Sequence, residues 1–245
     1  MAPYLMRHGF DVTGLDSGFF RNGLLYNAND YAPVTLFKDI RRVTEDDLRG
    51  YEAIVHMAEL SNDPLGQLAP EITYQINHKG SIHLAETARR AGVRRFVYMS
   101  SCSVYGVVEN GMVVDETSPV NPQTAYAECK VMVERDLAGM ADDSFTPWYM
   151  RNATAYGASP RMRFDIVLNN LSGLAWVKKE LAMTSDGTPG ARWCTHWTSP
   201  SPSAAPCRPR LRQSTTRPST WATPPTTIRC DKLRKWWRKC SRDAR

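Results

Sequence analysis

The sequence predicts an α/β protein built on a doubly wound parallel sheet, and three observations lead there. Short apolar runs suited to buried strands alternate with longer stretches of helical spacing. Polar residues gather at the carboxyl ends of those runs, where parallel sheets bind ligands. The alternation holds as far as Pro189 and then stops. Strands separated by helices pair in parallel, with helices on both faces.

Ala2 to His8 reads as the tail of a helix, followed by Gly9. The first strand run is Phe10-Asp-Val-Thr-Gly-Leu-Asp16, ending in an acid, and the second is Val34 to Asp39. Ala53 to Ala58 is the third and Arg95 to Ser100 the fourth, with a weaker fifth at Trp148 to Arg151. Between the third and fourth, Tyr74 to Ala91 sets Ile76, Ile82, Leu84 and Ala85 at helical spacing. Gly92 follows as a C-cap residue. A further helix spans Ala125 to Leu137. The strand ends carry Asp16, Asp39, Glu59 to Asn62 and Ser100 to Ser103, the first candidates for a site.

With 245 residues, the chain has room for one large domain or two small ones. Its 42% apolar and 23% charged residues suit a soluble globular protein. No apolar run is long enough to span a membrane, and the N-terminus lacks the apolar core of a secretory signal. Cytoplasmic residence is the expectation. The six cysteines show no metal-ligand spacing, so free thiols and no metal are expected.

The net charge of +6 averages two unlike segments. Residues 190–245 hold 13 Lys and Arg against two acids, whereas the first 189 hold 18 against 23. The later segment also has seven of the 16 prolines, five of the seven tryptophans and no valine. Neither strand nor helix period survives there. The expected organisation is a domain over 1–189 and an irregular basic tail over 190–245.

Tyr126-Ala-Glu-Cys-Lys130 is a Tyr-x-x-x-Lys pair, with Ser100-Ser-Cys-Ser-Val-Tyr-Gly106 shortly upstream. Positions i and i+4 share a helix face, so the phenol and the amine project together. Alone, such a pair arises in many surface helices. In order with His56 to Asp63, Asn77 to Gly80, Asp115 to Pro119 and Arg151 to Gly157, it resembles the extended short-chain dehydrogenase/reductases. The branch it resembles is the NAD-dependent nucleoside-diphosphate-sugar epimerases and dehydratases.

That resemblance implies a Rossmann-type fold, NAD as cofactor, a nucleoside-diphosphate sugar as substrate and a homodimer. Tyr126 is then the general base, Lys130 lowers the phenol's pKa and holds the nicotinamide ribose, and Ser101 bonds the reacting oxygen. Asp16 matches the acid that accepts the adenosine ribose hydroxyl and favours NAD over NADP. Asp39 and Ile40 fall near the adenine, although Asp16 and Asp39 each also read as an ordinary acid capping a loop after a strand. Met57, Ala58 and Asn77 fall on the cofactor side, although Asn77, beside Ile76 in the long helix, also reads as a solvent-facing polar residue. Ser103, Asn152 and Asn169 fall on the substrate side, while Arg161 and Arg163 default to solvent. The 4,6-dehydratases place an Asp-Glu pair where Cys102 and Ser103 stand, so epimerisation or ketoreduction is preferred to dehydration.

Two departures from the family pattern stand out. The run ending in Asp16 corresponds to the second strand of such folds, so the first strand and the glycine-rich phosphate loop are expected to be missing. Impaired cofactor binding and activity are expected in consequence. After Pro189, a shifted reading frame can spell Pro-Leu-Val-His-Thr-Leu-Asp-Ile-Ala from Arg192, similar to the family's C-terminal half. The alternative is a non-catalytic remnant or binding protein, whose basic tail meets nucleic acid or acidic lipid through Lys232 to Lys239. Five tryptophans are foreign to disordered tails and favour the frame shift, so nucleic acid is not an expected partner.

Overall fold

The computed structural model describes residues 1–26, 32–61, 63–107, 114–181, 190–195 and 227–229. They divide into two compact units, 1–19 with 32–152 in one and the rest in the other. The division at Asn152 lies inside the segment expected to be one domain.

In the first unit, helix α1 (Ala2–Arg7) has Pro3 in its opening turn, where a missing N–H costs nothing. Strand β1 (Thr13–Asp16) pairs in parallel with β2 (Val34–Phe37), Thr13 opposite Val34. Asp39 then caps a 3-10 turn over Ile40–Arg42, accepting the Arg41 N–H at 2.9 Å, and the turn drives Ile40 into the core. Helix α2 (Glu45–Leu48) begins where Asp47 reaches back to the Thr44 N–H at 2.7 Å.

Next come β3 (Ala53–His56), α3 (Asp63–Leu68) and α4 (Pro70–Thr73). The last of these passes through a π-helical segment, Tyr74–Gly80, into α5 (Ser81–Arg90). Gly92 closes that helix at φ +83°, a conformation that glycine adopts without strain. Strand β4 (Arg95–Tyr98), helix α6 (Ala125–Met140) and β5 (Thr146–Tyr149) complete the unit. Strand β4 lies between β3 and β5, parallel to both, and β1 and β2 form a separate pair. Among the described residues, β1 and β3 therefore each have a strand neighbour on one side only.

One core serves the unit. Phe96 and Tyr98 of β4, Leu84 and Ala88 of α5, and Val133 and Leu137 of α6 are buried together with Phe145 and Ile40. Each large side chain so buried contributes roughly 1.5–3 kcal/mol. The first four apolar runs thus contain the strands β1 to β4, each shorter than its run, while β5 starts two residues before the fifth run and ends at Tyr149.

The second unit holds β6 (Thr154–Tyr156), α7 (Val167–Lys178), β7 (Gly190–Thr195) and β8 (Thr227–Arg229). Strand β7 pairs in parallel with β6 and antiparallel with β8. These two short strands fall in the segment expected to be irregular. The cluster from Lys232 to Lys239 and the Gly187-Thr-Pro189 junction lie outside the described residues. No helix among the described residues is long and apolar enough to cross a membrane.

Candidate active site

The carboxyl end of β4 runs straight into the site. Ser101 forms an isolated parallel bridge with Asn152 beyond β5, and Cys102 donates its N–H to the Asn152 carbonyl at 2.9 Å. The Ser101 hydroxyl oxygen caps a 3-10 turn over Cys102–Tyr105 and accepts the Ser103 hydroxyl at 2.9 Å. Gly106 ends this turn at φ +62°, against the carbonyl of Asn121; a Cβ there would lie 1.9 Å from that oxygen.

Facing this turn is α6, started by Thr124, whose hydroxyl accepts the Ala127 N–H at 3.2 Å. Tyr126 is half-buried one turn before Lys130. The Lys130 ammonium lies 5.2 Å from the Tyr126 ring centre and 4.5 Å from that of Tyr98. It donates to the carbonyl of Met99 and sits 2.6 Å from Glu59 Oε2. The other oxygen of Glu59 accepts the Tyr98 hydroxyl at 2.6 Å. Lys130 and Glu59 have side-chain exposures of only 3% and 4%. Burial pushes the lysine down and the carboxyl up, and each charge limits the shift of the other.

One turn further along α6, Glu134 accepts two hydrogen bonds from Arg151 Nε at 3.1 Å and one from Nη2 at 2.7 Å. It also accepts the Ser100 hydroxyl, and Arg151 Nη1 donates to the Tyr105 hydroxyl at 3.0 Å. The site floor is therefore a row of buried charges of alternating sign.

Behind β3, His56 bonds Ser81 across 2.7 Å, and Ser81 donates to the Asn77 carbonyl. Burial, then the Lys130 charge, depress the His56 pKa to about 3, so the ring is neutral and donates to Ser81. Asn77, fully buried, clamps Leu60 by accepting its N–H at 2.8 Å and donating to its carbonyl at 2.7 Å. It holds the loop after β3 from behind.

Tyr126, Lys130, Ser101, Ser103, Asn77 and Asn152 all belong to the strand ends and helices around β4. The Asn152 amide donates to the carbonyl of Met150 at 3.0 Å. Met57 stands 54% exposed at the end of β3, with Ala58 turned toward the core. Asp16 is exposed at the end of β1 and accepts the Gly18 N–H at 2.6 Å. Asp39 is engaged with the Arg41 guanidinium and the Ile40 side chain is part of the core. Asn169 lies in the second unit, where its amide accepts from Gly157 N–H at 3.0 Å and donates to the Arg163 carbonyl at 2.9 Å. Arg161 packs over the Phe20 ring, and Arg163 pairs with Asp165.

Sequence reasoning names Glu59 only as one of the polar residues at a strand end and gives no role to Glu134 or Arg151. The i, i+4 spacing of Lys130 and Glu134 was the one local signal that a carboxylate follows the lysine on the same face.

A family model described as the NAD dependent epimerase/dehydratase family matches residues 1–195. UDP-glucose 4-epimerase of Streptomyces lividans is 29% identical over 143 residues, which is 58% of this chain and 43% of that protein. dTDP-glucose 4,6-dehydratase of Streptomyces niveus is 33% identical over 135 residues, 50% of this chain and 38% of that one. The chain thus spans less than half the length of these curated relatives. A solved NAD-dependent NDP-hexosamine 5,6-dehydratase involved in tunicamycin biosynthesis shares the fold with a TM-score of 0.69 at 26% identity. That likeness covers 79% of this chain and 63% of the other. A Rossmann-like parallel α/β core with a Tyr-x-x-x-Lys helix beside its central strand defines the class, and the family match makes it specific. The chain belongs to the NAD dependent epimerase/dehydratase family.

Proposed function

We propose that this chain carries the proton-transfer site of an NAD-dependent enzyme that oxidises and reduces a hydroxyl of a nucleoside-diphosphate sugar, with epimerisation as the net reaction. The observation that carries this reading is the convergence of Tyr126, Lys130 and Ser101 at the carboxyl end of β4, with the Lys130 ammonium 5.2 Å from the phenol ring centre. The relatives include a UDP-glucose 4-epimerase and a dTDP-glucose 4,6-dehydratase, which supports a sugar nucleotide as substrate class.

An NAD-type cofactor fits the chemistry of the surrounding surface. Asp16 presents an exposed carboxylate at a strand end, suited to ribose hydroxyls, and Met57 offers exposed apolar surface at the end of β3. When bound, NAD supplies an acceptor for hydride from the carbinol carbon. The chain's own groups handle the proton and the oxygen. Tyr126, as phenolate, takes the hydroxyl proton, and the ammonium of Lys130 favours that phenolate. Ser101 donates to the same oxygen as it becomes a carbonyl, and Ser103, bonded to Ser101, keeps that hydroxyl oriented. Cys102 and Ser103 are poor acids and bases near pH 7, which supports epimerisation over dehydration.

The test is turnover of a panel of UDP- and dTDP-hexoses with NAD by the wild-type chain, whose turnover is expected to be impaired, and by Tyr126→Phe. The variant is expected to lose at least about 100-fold in kcat. Sugar-nucleotide binding that is equal in both proteins, with turnover in neither, would identify a binding protein and overturn the reading.

A further inference from the structure

The buried carboxylate of Glu59 has no place in the proton transfer just described, yet it makes the closest charged contact to Lys130. The geometry points to Glu59 as a positioning residue: it is the counter-ion that holds the Lys130 ammonium, protonated, between the rings of Tyr98 and Tyr126. This rests on the reading of Tyr126 and Lys130 as the proton-transfer pair and deepens it.

Three features support the assignment. First, the ion pair is short and dry, 2.6 Å at 3% and 4% side-chain exposure. A lone ammonium at such a site loses its proton readily, because burial disfavours the charged form. Second, Glu59 is itself fixed, since its Oε1 accepts the Tyr98 hydroxyl at 2.6 Å from the strand below. Its Oε2 faces the Lys130 ammonium at 2.6 Å and, among the described residues, has no other polar partner. Third, among the described residues no other group facing Lys130 is placed to take over the task. His56 on β3 is neutral above about pH 3, and the Cys129 thiol is pushed up to about 12 by burial. The Tyr98 phenol is also pushed well up by burial, so it stays neutral. Tyr126 is the group being served, and Glu134 already faces the bidentate guanidinium of Arg151. Glu59 is the carboxylate left to balance the lysine.

Without Glu59, the amine would become neutral and would no longer favour the Tyr126 phenolate. The experiment follows the Lys130 Nζ resonance by ¹⁵N-detected NMR across pH 5–10 in the free full-length chain, with Lys130→Met assigning the signal. In Glu59→Gln the lysine is expected to titrate at least about two pH units lower than in wild type, a hundredfold easier loss of the proton. An unchanged titration would overturn the proposal. Should Glu59→Gln unfold, the double variant Glu59→Gln/Lys130→Met provides a second measurement. A counter-ion predicts that the double variant recovers the stability the single one loses, and additive losses would overturn it. Neither readout requires NAD or sugar. Glu59 can therefore fail this test while Tyr126 remains the base, and the Tyr126→Phe result leaves it untouched.

Discussion

At the ends of β1 and β2, Asp16 and Asp39 stay open to solvent and bond within their own turns, to Gly18 and Arg41. At the end of β3 and on α6, Glu59 and Glu134 are buried and reach cations brought from other elements, Lys130 and Arg151. The first pair shapes loops locally. The second holds β3, β4, β5 and α6 together around a site. Equal charges thus carry very different energies: a solvated acid loses little when its partner goes, whereas a buried one is left without water or counter-ion.

That contrast can be broken most severely at Arg151. Arg151→Ala strands the Glu134 carboxylate, whose other hydrogen-bond partner among the described residues is the Ser100 hydroxyl, and should cost about 3–5 kcal/mol in urea unfolding. A loss below 1 kcal/mol would place Glu134 with the solvated acids.

Asp47 is an intermediate case. Its Oδ2 accepts Lys38 Nζ at 2.5 Å and the Thr44 N–H and hydroxyl, and these bonds, Lys38 foremost, hold its pKa at about 2. Asp47→Ala should cost about 1 kcal/mol, a typical helix-cap loss. Because the folded-state pKa lies below the ordinary 3.8, the stabilisation is present above pH 4 and fades as pH falls toward 2. Acid unfolding monitored by circular dichroism should show wild type losing its advantage over the variant in that window.

The smallest effect is expected at Asp39. Asp39→Ala removes a solvent-exposed contact to Arg41 and one turn cap, and should cost less than about 1 kcal/mol by thermal melting. A loss as large as that of Arg151→Ala would erase the distinction between the two ends.

The same contrast explains what could be read in advance. Asp16 and Asp39 were visible as strand-end acids because their partners are two residues away, inside the stretch being read. Tyr126 and Lys130 were visible because helical spacing places them on one face. The strands around Phe96 and Trp148 were visible as apolar runs. Glu59 stands among the same strand-end polar residues, but its partner does not show, because the cation it pairs with lies on another element, far along the chain. Ile40, expected near the adenine from its place after Asp39, packs its side chain in the core, a placement that local spacing does not reveal. Nor does apolar patterning reveal that the described strands form three separate hydrogen-bonded sets, since strand period is blind to which neighbour is present.

The π-helical stretch Tyr74–Gly80 bears on how this chain can change in length. A π turn absorbs one more residue per hydrogen-bonded ring than an α turn. Deleting one residue within it tightens the coil toward α and keeps α4 and α5 in phase, so Leu84 and Ala88 still point inward. The loss falls on Asn77 and its hold on Leu60. A deletion one turn later, inside Ser81–Arg90, would instead swing every following residue of that helix by about 100° and turn its core face to water. Tolerance to a one-residue deletion along this long helix is therefore concentrated in one seven-residue window.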